Sequence, residues 1–316
     1  MRTIGLDVGG TFLKAVVHDG AEVIFEATER LPPVRVLDRV VEVAQTLVDR
    51  WDASAVGVGL AGLVRWPEGS FVWGPHMADG DTPFRQRLEH DLGLRVLVDN
   101  DANLSAYAEA TSGAAVGRSS VLMLMFGTGI GAGLVVDGRI HRGRSFAGEV
   151  GHMAMVPGGS LCACGRRGCW ETVISGEVLD RTAQDLLRQA PDGAIGQLVG
   201  EGPPDASHLT RAAEMGDTAS QTVLADAGTW LGRGVANLIM ILDPEIVVVG
   251  GAVVNAGRWL LDPARTAIAS HVSGAVHRPP TPVVEAHHGR LAGAVGAALA
   301  ARDAQDEGTQ TAEGRR

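Results

Sequence analysis

Positive charge is scarce in this 316-residue sequence, long apolar runs are missing, and cysteine is confined to one short stretch. Lysine and arginine number 27 against 37 aspartates and glutamates, a formal net charge of −10. A field of that sign repels nucleic acid and anionic membrane surfaces, so neither is expected as a partner. It repels a nucleoside triphosphate equally, so such a ligand would need donors supplied locally. The longest apolar stretches are strand-length and broken by glycine, which argues against a membrane span. The chain opens Met1-Arg2-Thr3-Ile4-Gly5-Leu6-Asp7, a strand and a loop, not the apolar segment of a secretory leader. Clustered cysteines without a secretory pattern fit a reducing, cytoplasmic setting.

The three cysteines stand in Cys162-Ala163-Cys164-Gly165-Arg166-Arg167-Gly168-Cys169, with Glu149 and His152 upstream and Glu171 downstream. Three thiolates this close, preceded by an imidazole, match a structural Zn2+ site of the Cys3His type. Gly165 and Gly168 allow the tight turns that bring three sulfurs to one ion. Buried structural thiols would be scattered over apolar strands. Two carboxylates on the same segment imply that the metal shapes a binding pocket as well as pinning a loop.

Against these shortages stands a surplus of glycine, 43 residues, with 45% hydrophobic residues, enough for a sizeable core. Many glycines gather as pairs and triplets at strand ends, a pattern expected of a nucleotide binder. Two segments share a layout: Ile4 to Gly20, with Gly9-Gly10-Thr11 at its turn, and Val121 to Gly138, with Gly127-Thr128-Gly129. Each reads as strand, glycine/threonine turn, strand and Asp-Gly hairpin signal. Such turns expose backbone N–H groups that can hold phosphate oxygens. Two copies about 120 residues apart suggest duplicated domains gripping one polyphosphate from both sides.

The remaining pattern is α/β. Helices are expected over 34–50, 82–92 (Thr82 as N-cap, Pro83 first), 103–112, 176–189, 207–215, 219–242 and 291–301. Strands are expected over 21–27, 55–59, 94–98 and 245–249, and a loop over 191–204. The strand over 94–98 delivers Asp99-Asn100-Asp101-Ala102-Asn103 at its carboxyl end, where open α/β sheets place ligands.

Together these residues resemble the ROK family of bacterial sugar kinases, with the two-domain actin-like, ribonuclease-H-like ATPase fold. The resemblance spans Ile4 to about Ala301 and is carried by six groups of residues in this order. They are Asp7 to Thr11 with Lys14, Asn100-Asp101-Ala102-Asn103, Gly127 to Gly131, Gly148-Glu149-Val150-Gly151-His152, the Cys162 to Glu171 run, and Leu242 to Glu245 with Gly250-Gly251. It implies an ATP:hexose phosphotransferase of glucokinase type, with Asp101 as general base on the sugar hydroxyl. Gly62, Asn100, Glu149, His152 and Glu171 would contact the sugar. His152, Cys162, Cys164 and Cys169 would bind zinc. Gly9, Gly10, Thr11, Gly127, Thr128 and Gly129 would hold the ATP phosphates, as duplicated β-hairpin clamps. Asp7 would sit near Mg2+ through water, Lys14 would line the cleft or pair with an acid, and Gly250 and Gly251 would approach the nucleoside. The implied organisation is a small α/β domain over 1–117 completed by a helix over 290–301, and a larger domain over 118–289 with the zinc loop. A disordered tail over 302–316 follows, and a homodimer is the family expectation.

Three departures bear on the substrate. Ala61-Gly62 stands where the family's hexokinases carry Pro-Gly, Pro75-His76 replaces a Pro-Asn, and Met77 to Asp81 replaces a Gly-Trp stretch. Glucose phosphorylated at its 6-hydroxyl is the leading expectation; an amino sugar, N-acetyl hexosamine, fructose or cyclitol remain open. A reading of another class is a sugar-sensing regulator without catalysis. Regulators of the family carry a winged helix ahead of the first hairpin, whereas here that hairpin starts within the first ten residues. Asp101 and both phosphate turns also argue against a silent sensor, and the acidic composition argues against polyphosphate as donor.

Overall fold

The computed structural model describes residues 1–32, 34–74 and 80–313. The chain divides into two units, Met1–Met123 with Gly133–Gly148 and Ala286–Arg316, and Leu124–Ala132 with Glu149–Glu285. The first begins with antiparallel strands β1 (Thr3–Val8), β2 (Phe12–His18) and β3 (Val23–Arg30), then helix α1 (Val36–Trp51). Next come β4 (Ala55–Leu60), a small hairpin of β5 (Leu63–Arg65) and β6 (Ser70–Trp73), α2 (Phe84–Leu92), β7 (Arg95–Asn100) and α3 (Asp101–Ser112). The sheet order is β3-β2-β1-β4-β7, with β4 parallel to β1 and β7 parallel to β4.

A second sheet repeats that order. β8 (Val121–Phe126), β9 (Ile130–Val136) and β10 (Arg139–Ile140) form its meander. Helices α4 (Gly176–Gln189), α5 (Ala194–Leu198), α6 (Ala206–Glu214) and α7 (Thr218–Leu242) precede β11 (Ile246–Gly250). Helix α8 (Arg258–His271), β12 (Val283–Glu285) and α9 (Ala292–Glu313) complete the chain. The order β10-β9-β8-β11-β12 matches the first sheet strand for strand, as two copies of one hairpin pattern imply. Asp137 and Gly138 both have positive φ, 52° and 72°, the turn that an Asp-Gly hairpin signal specifies.

The period of two along β1 and β4 decides how the first unit is layered. Ile4, Leu6, Val8, Val56, Val58 and Leu60 face α1 and α2 in one core. The alternate positions are Gly5, Gly57 and Gly59, and they face helices. A Cβ on Gly5 or Gly57 would run into the α9 backbone at Ala294 or Ala297, and one on Gly59 would lie 3.3 Å from the Asp101 Cα. Part of the glycine surplus therefore serves helix-on-sheet packing inside strands, which the strand-end reading did not foresee. α7 and α8 pack by the same device: Gly228 and Gly232 admit the backbone at Leu260 and Ala264.

Several elements differ from the sequence reading. α2 begins at Phe84, capped by Pro83, because Thr82 pairs through its backbone with Phe71 (2.9 Å each way) and is taken from the helix. α3 begins at Asp101, not Asn103, so Asp101 belongs to a first helical turn. The expected loop over 191–204 contains α5. α8 went unread because Pro263 lies inside it and reads as a breaker. α9 continues past Ala301 to Glu313, so the segment expected to be a disordered tail is helical over 302–313, and the Tyr107 hydroxyl donates to Asp303. The first unit also takes in 133–148, beyond a simple boundary near 117. The departures at Pro75-His76 and Met77 to Asp79 lie outside the described residues. No helix among the described residues is long and apolar enough to cross a membrane.

Candidate active site

In the first unit the Gly9-Gly10-Thr11 turn is closed by a hydrogen bond from Gly9 N to Phe12 O (3.0 Å) and braced by Leu31 N donating to Thr11 O (2.8 Å). Below it, register places Asp7 opposite Lys14, and the Lys14 ammonium lies 2.7 Å from Asp7 Oδ2. Lys14 is the one lysine in the chain. Asp7 is 6% exposed and packs against the first turn of α9, where a Cβ at Gly293 would lie 2.9 Å from its carboxyl carbon. The resemblance implies magnesium here. One buried carboxylate fits an ion that keeps most of its waters and takes phosphate oxygens as its other ligands.

The end of β7 builds the second part. Asn100, not Asp101, is the N-cap of α3: its Oδ1 accepts from Ala102 N (2.9 Å) and Asn103 N (3.0 Å). Its Nδ2 donates to the Gly62 carbonyl (3.0 Å), so one amide hydrogen is left to reach a ligand. Gly62 needs its glycine for internal reasons, a φ of 139° and the Trp73 carbonyl beside it. Asp101 stands half-buried at the first helical position, at the positive end of the helix, and its Oδ1 shares the Ala102 N donor (2.9 Å) with Asn100. Asp99, 1% exposed, accepts from Asn100 N (2.8 Å), Asn103 Nδ2 (3.1 Å) and Arg142 Nε (2.7 Å). Arg142 also lies over the Trp66 ring, 3.8 Å from its centroid. Sequence reasoning passed over Arg142 and Trp66, since neither stands in a recognisable motif.

In the second unit, the turn between β8 and β9 is held by Gly127 N donating to Gly129 O (3.1 Å) and by Gly176 N, at the start of α4, donating to Gly127 O (2.8 Å). A Cβ on Gly127 would meet nothing within 4 Å. Gly251 has φ 95° and abuts the Phe126 carbonyl, so this glycine is demanded by the fold.

The sequence-predicted metal ligands come together: one donor atom each from His152, Cys162, Cys164 and Cys169 lie within 4.8 Å of one another. Cys164 Sγ is 3.6 Å from Cys169 Sγ, and Cys162 Sγ is 3.5 Å from His152 Nδ1. Tetrahedral zinc with ordinary bond lengths needs sulfur–sulfur edges of about 3.8 Å and sulfur–nitrogen edges of about 3.5 Å. The donor set and spacing fit zinc bound through Nδ1, which leaves Nε2 for another partner. Gly165 (φ 85°) and Gly168 (φ 78°) make the expected turns, and Cys164 N donates to Cys162 Sγ (3.3 Å). Fully buried Trp170 roots the loop through Nε1 to Trp230 O (3.1 Å) and an edge contact with Phe126. Burial raises the pKa of Cys162 and Cys169. For Cys164 burial is outweighed by hydrogen bonds from the Arg166 backbone and the neighbouring thiols, and its pKa is lowered.

Glu149 and Glu171 flank the cluster. Glu149 Oε2 is 3.9 Å from His152 Nε2, and Glu171 Oε1 is 3.4 Å from His152 Nδ1 and 2.8 Å from Cys162 Sγ. Burial, opposed by His152 and reinforced by the Glu171 charge, pushes the Glu149 carboxyl above the usual glutamate range.

The family model for the ROK family matches residues 3–304. The chain belongs to the ROK family. Its relatives include a glucokinase of Streptomyces coelicolor, 34% identical over 310 residues, covering 95% of this chain and 98% of that protein. A ROK family glucokinase from Streptomyces griseus, solved in complex with glucose and AMPPNP, aligns with a TM-score of 0.89 at 33% identity, over 96% of this chain and all of that one. A ROK family transcriptional regulator homologous to E. coli MLC aligns at 0.83 and 26% identity, over 94% of this chain and 77% of that one. This ROK protein therefore has the actin-like, ribonuclease-H-like sugar kinase fold expected from its motifs.

Proposed function

We propose that this hexose kinase phosphorylates glucose at its 6-hydroxyl, with ATP as donor and Asp101 as general base. The observation that carries this is the division of labour at the end of β7. Asn100 supplies the N-cap of α3, and Asp101, whose Oδ1 accepts from Ala102 N (2.9 Å), is mounted beside it in the first helical turn at the sheet's carboxyl end. The likeness to glucokinases supports the substrate class.

Phosphoryl transfer to a hydroxyl passes through a loose transition state, so positioning and charge stabilisation supply most of the rate. A carboxylate accepting the hydroxyl proton late in the reaction needs no unusual pKa, only placement within about 3 Å of the hydroxyl. Glu149 and Glu171 would accept hydrogen bonds from ring hydroxyls, and His152 would offer Nε2 while Nδ1 holds zinc. A sugar lacking the hydroxyl that meets Glu171, 17% exposed, leaves that largely buried acceptor unpaired, at about 1–3 kcal/mol. The backbone amides of the two glycine turns would hold phosphate oxygens, and Asp7 would hold the hydrated magnesium that balances their charge. Zinc, held by His152, Cys162, Cys164 and Cys169, would supply a structural anchor for the loop that carries the sugar ligands.

A coupled ADP-release assay over hexoses, amino sugars, N-acetyl sugars and cyclitols tests the substrate, with glucose expected to give the highest kcat/KM. Asp101→Asn should reduce kcat by at least about a hundredfold with glucose affinity retained. An active Asp101→Asn enzyme would refute the assignment.

A further inference from the structure

We infer that Gly129 is a positioning residue for sugar recognition, because its missing side chain is the space in which the Glu171 carboxylate sits. Two reasons usually demand glycine in a turn, a left-handed backbone or a close approach. Gly129 is absent from the positive-φ residues, so a left-handed backbone is not what demands glycine there. The approach is what excludes one. A Cβ built on Gly129 would lie 2.6 Å from Glu171 Oε2, and the next atom, the Glu171 carboxyl carbon, is 3.7 Å away. Its neighbour Gly127 has open space at the same point, so the constraint belongs to Gly129 specifically.

The other side of the carboxylate is also occupied. Glu171 Oε1 meets Cys162 Sγ at 2.8 Å and His152 Nδ1 at 3.4 Å, and the side chain is 17% exposed. The carboxylate is thus wedged between the β8–β9 turn and the cysteine cluster. An added methyl group on residue 129 overlaps only the far end of a flexible side chain, so the fold can accept it by moving the carboxylate. The turn assigned to ATP phosphates would then have a second role, setting the orientation of an acceptor for the sugar. This inference rests on Glu171 being a sugar ligand.

The test is glucose binding by calorimetry in the absence of any nucleotide, which separates the sugar role from the phosphate role. Gly129→Ala should weaken glucose by about tenfold or more, the size of one lost hydrogen bond to a charged group, with the melting temperature unchanged. Against a Glu171→Ala background the same substitution should add nothing, since it acts through Glu171. If Glu171→Ala weakens glucose but Gly129→Ala binds it like the wild type, the inference is overturned and the reading of Glu171 survives. If Glu171→Ala itself leaves affinity unchanged, both fall. A Gly129→Ala protein that folds only together with Glu171→Ala would point to the same overlap. Failure of both to fold would show that the turn itself needs glycine, and would overturn the inference.

Discussion

Arg142 Nε donates to Asp99 Oδ2 at 2.7 Å, and both side chains are largely withdrawn from water, 19% and 2% exposed. Asp99 precedes the Asn100-Asp101 pair and accepts from Asn100 N, so the ion pair braces the backbone on which the proposed base is mounted. Arg142→Ala strands a buried carboxylate and is expected to cost about 3 kcal/mol. Arg142→Lys should recover only part, because an ammonium cannot reproduce the planar stack on Trp66. Urea midpoints would show it, and an unchanged midpoint for Arg142→Ala would dismiss the brace.

Zinc removal should be felt as lost sugar affinity, not lost chemistry. Purified protein is expected to carry one zinc per chain by elemental analysis, and Cys164→Ser to carry none. That variant should show a raised glucose KM, a lower melting temperature and a kcat changed much less. A variant without zinc that keeps its KM would separate the cluster from the carboxylates proposed to bind sugar.

Two glycines two residues apart on β4 should respond differently. Gly57→Ala drives a methyl group into the α9 backbone, which cannot retreat without moving the helix, and should destabilise the protein by about 1–3 kcal/mol. Gly59→Ala meets the Asp101 Cα at 3.3 Å and should cost less stability, yet reduce kcat by shifting the start of α3. Denaturation curves beside steady-state kinetics would distinguish the two. Equal effects on kcat would contradict the assignment.

Acid should weaken the fold partly through His18. Its Nδ1 accepts from Gly20 N (3.0 Å), which requires an unprotonated ring nitrogen. Burial, with Arg302 and His288, lowers its pKa against the opposing pull of Asp19. The unfolded chain therefore binds a proton that the folded one resists. Stability from this residue is complete above pH about 6.5 and falls as pH drops below the unfolded value. His18→Asn keeps an acceptor for Gly20 and removes the titration, so its melting temperature should decline less between about pH 7 and about pH 5.5, a window that brackets the unfolded histidine value. An identical decline would assign the acid sensitivity elsewhere.

Much of the site was legible because its chemistry is local in sequence. The cysteine run, the paired hairpins and the Asn100-Asp101 pair each lie within a few residues, and short spacing is nearly geometry. What escaped depends on partners far apart in the chain. Arg142 reads as an ordinary surface charge until Asp99, 43 residues earlier, is found beside it. Gly5 and Gly57 read only as strand residues until a helix 289 and 240 residues further on, at Ala294 and Ala297, lies across them. Even the choice of N-cap, Asn100 over Asp101, required the Gly62 carbonyl to hold the Asn100 side chain.

Residue identity alone determined the Cys/His cluster, the two glycine turns and the family, because donor type and short spacing leave little conformational freedom. Tertiary structure alone decided that Asp101 is not the cap, that Arg142 pairs with Asp99, and that Glu171 lies against Gly129. Those outcomes depend on which distant backbone arrives within a few ångströms, and pairwise packing of that kind leaves no periodic trace in the chain.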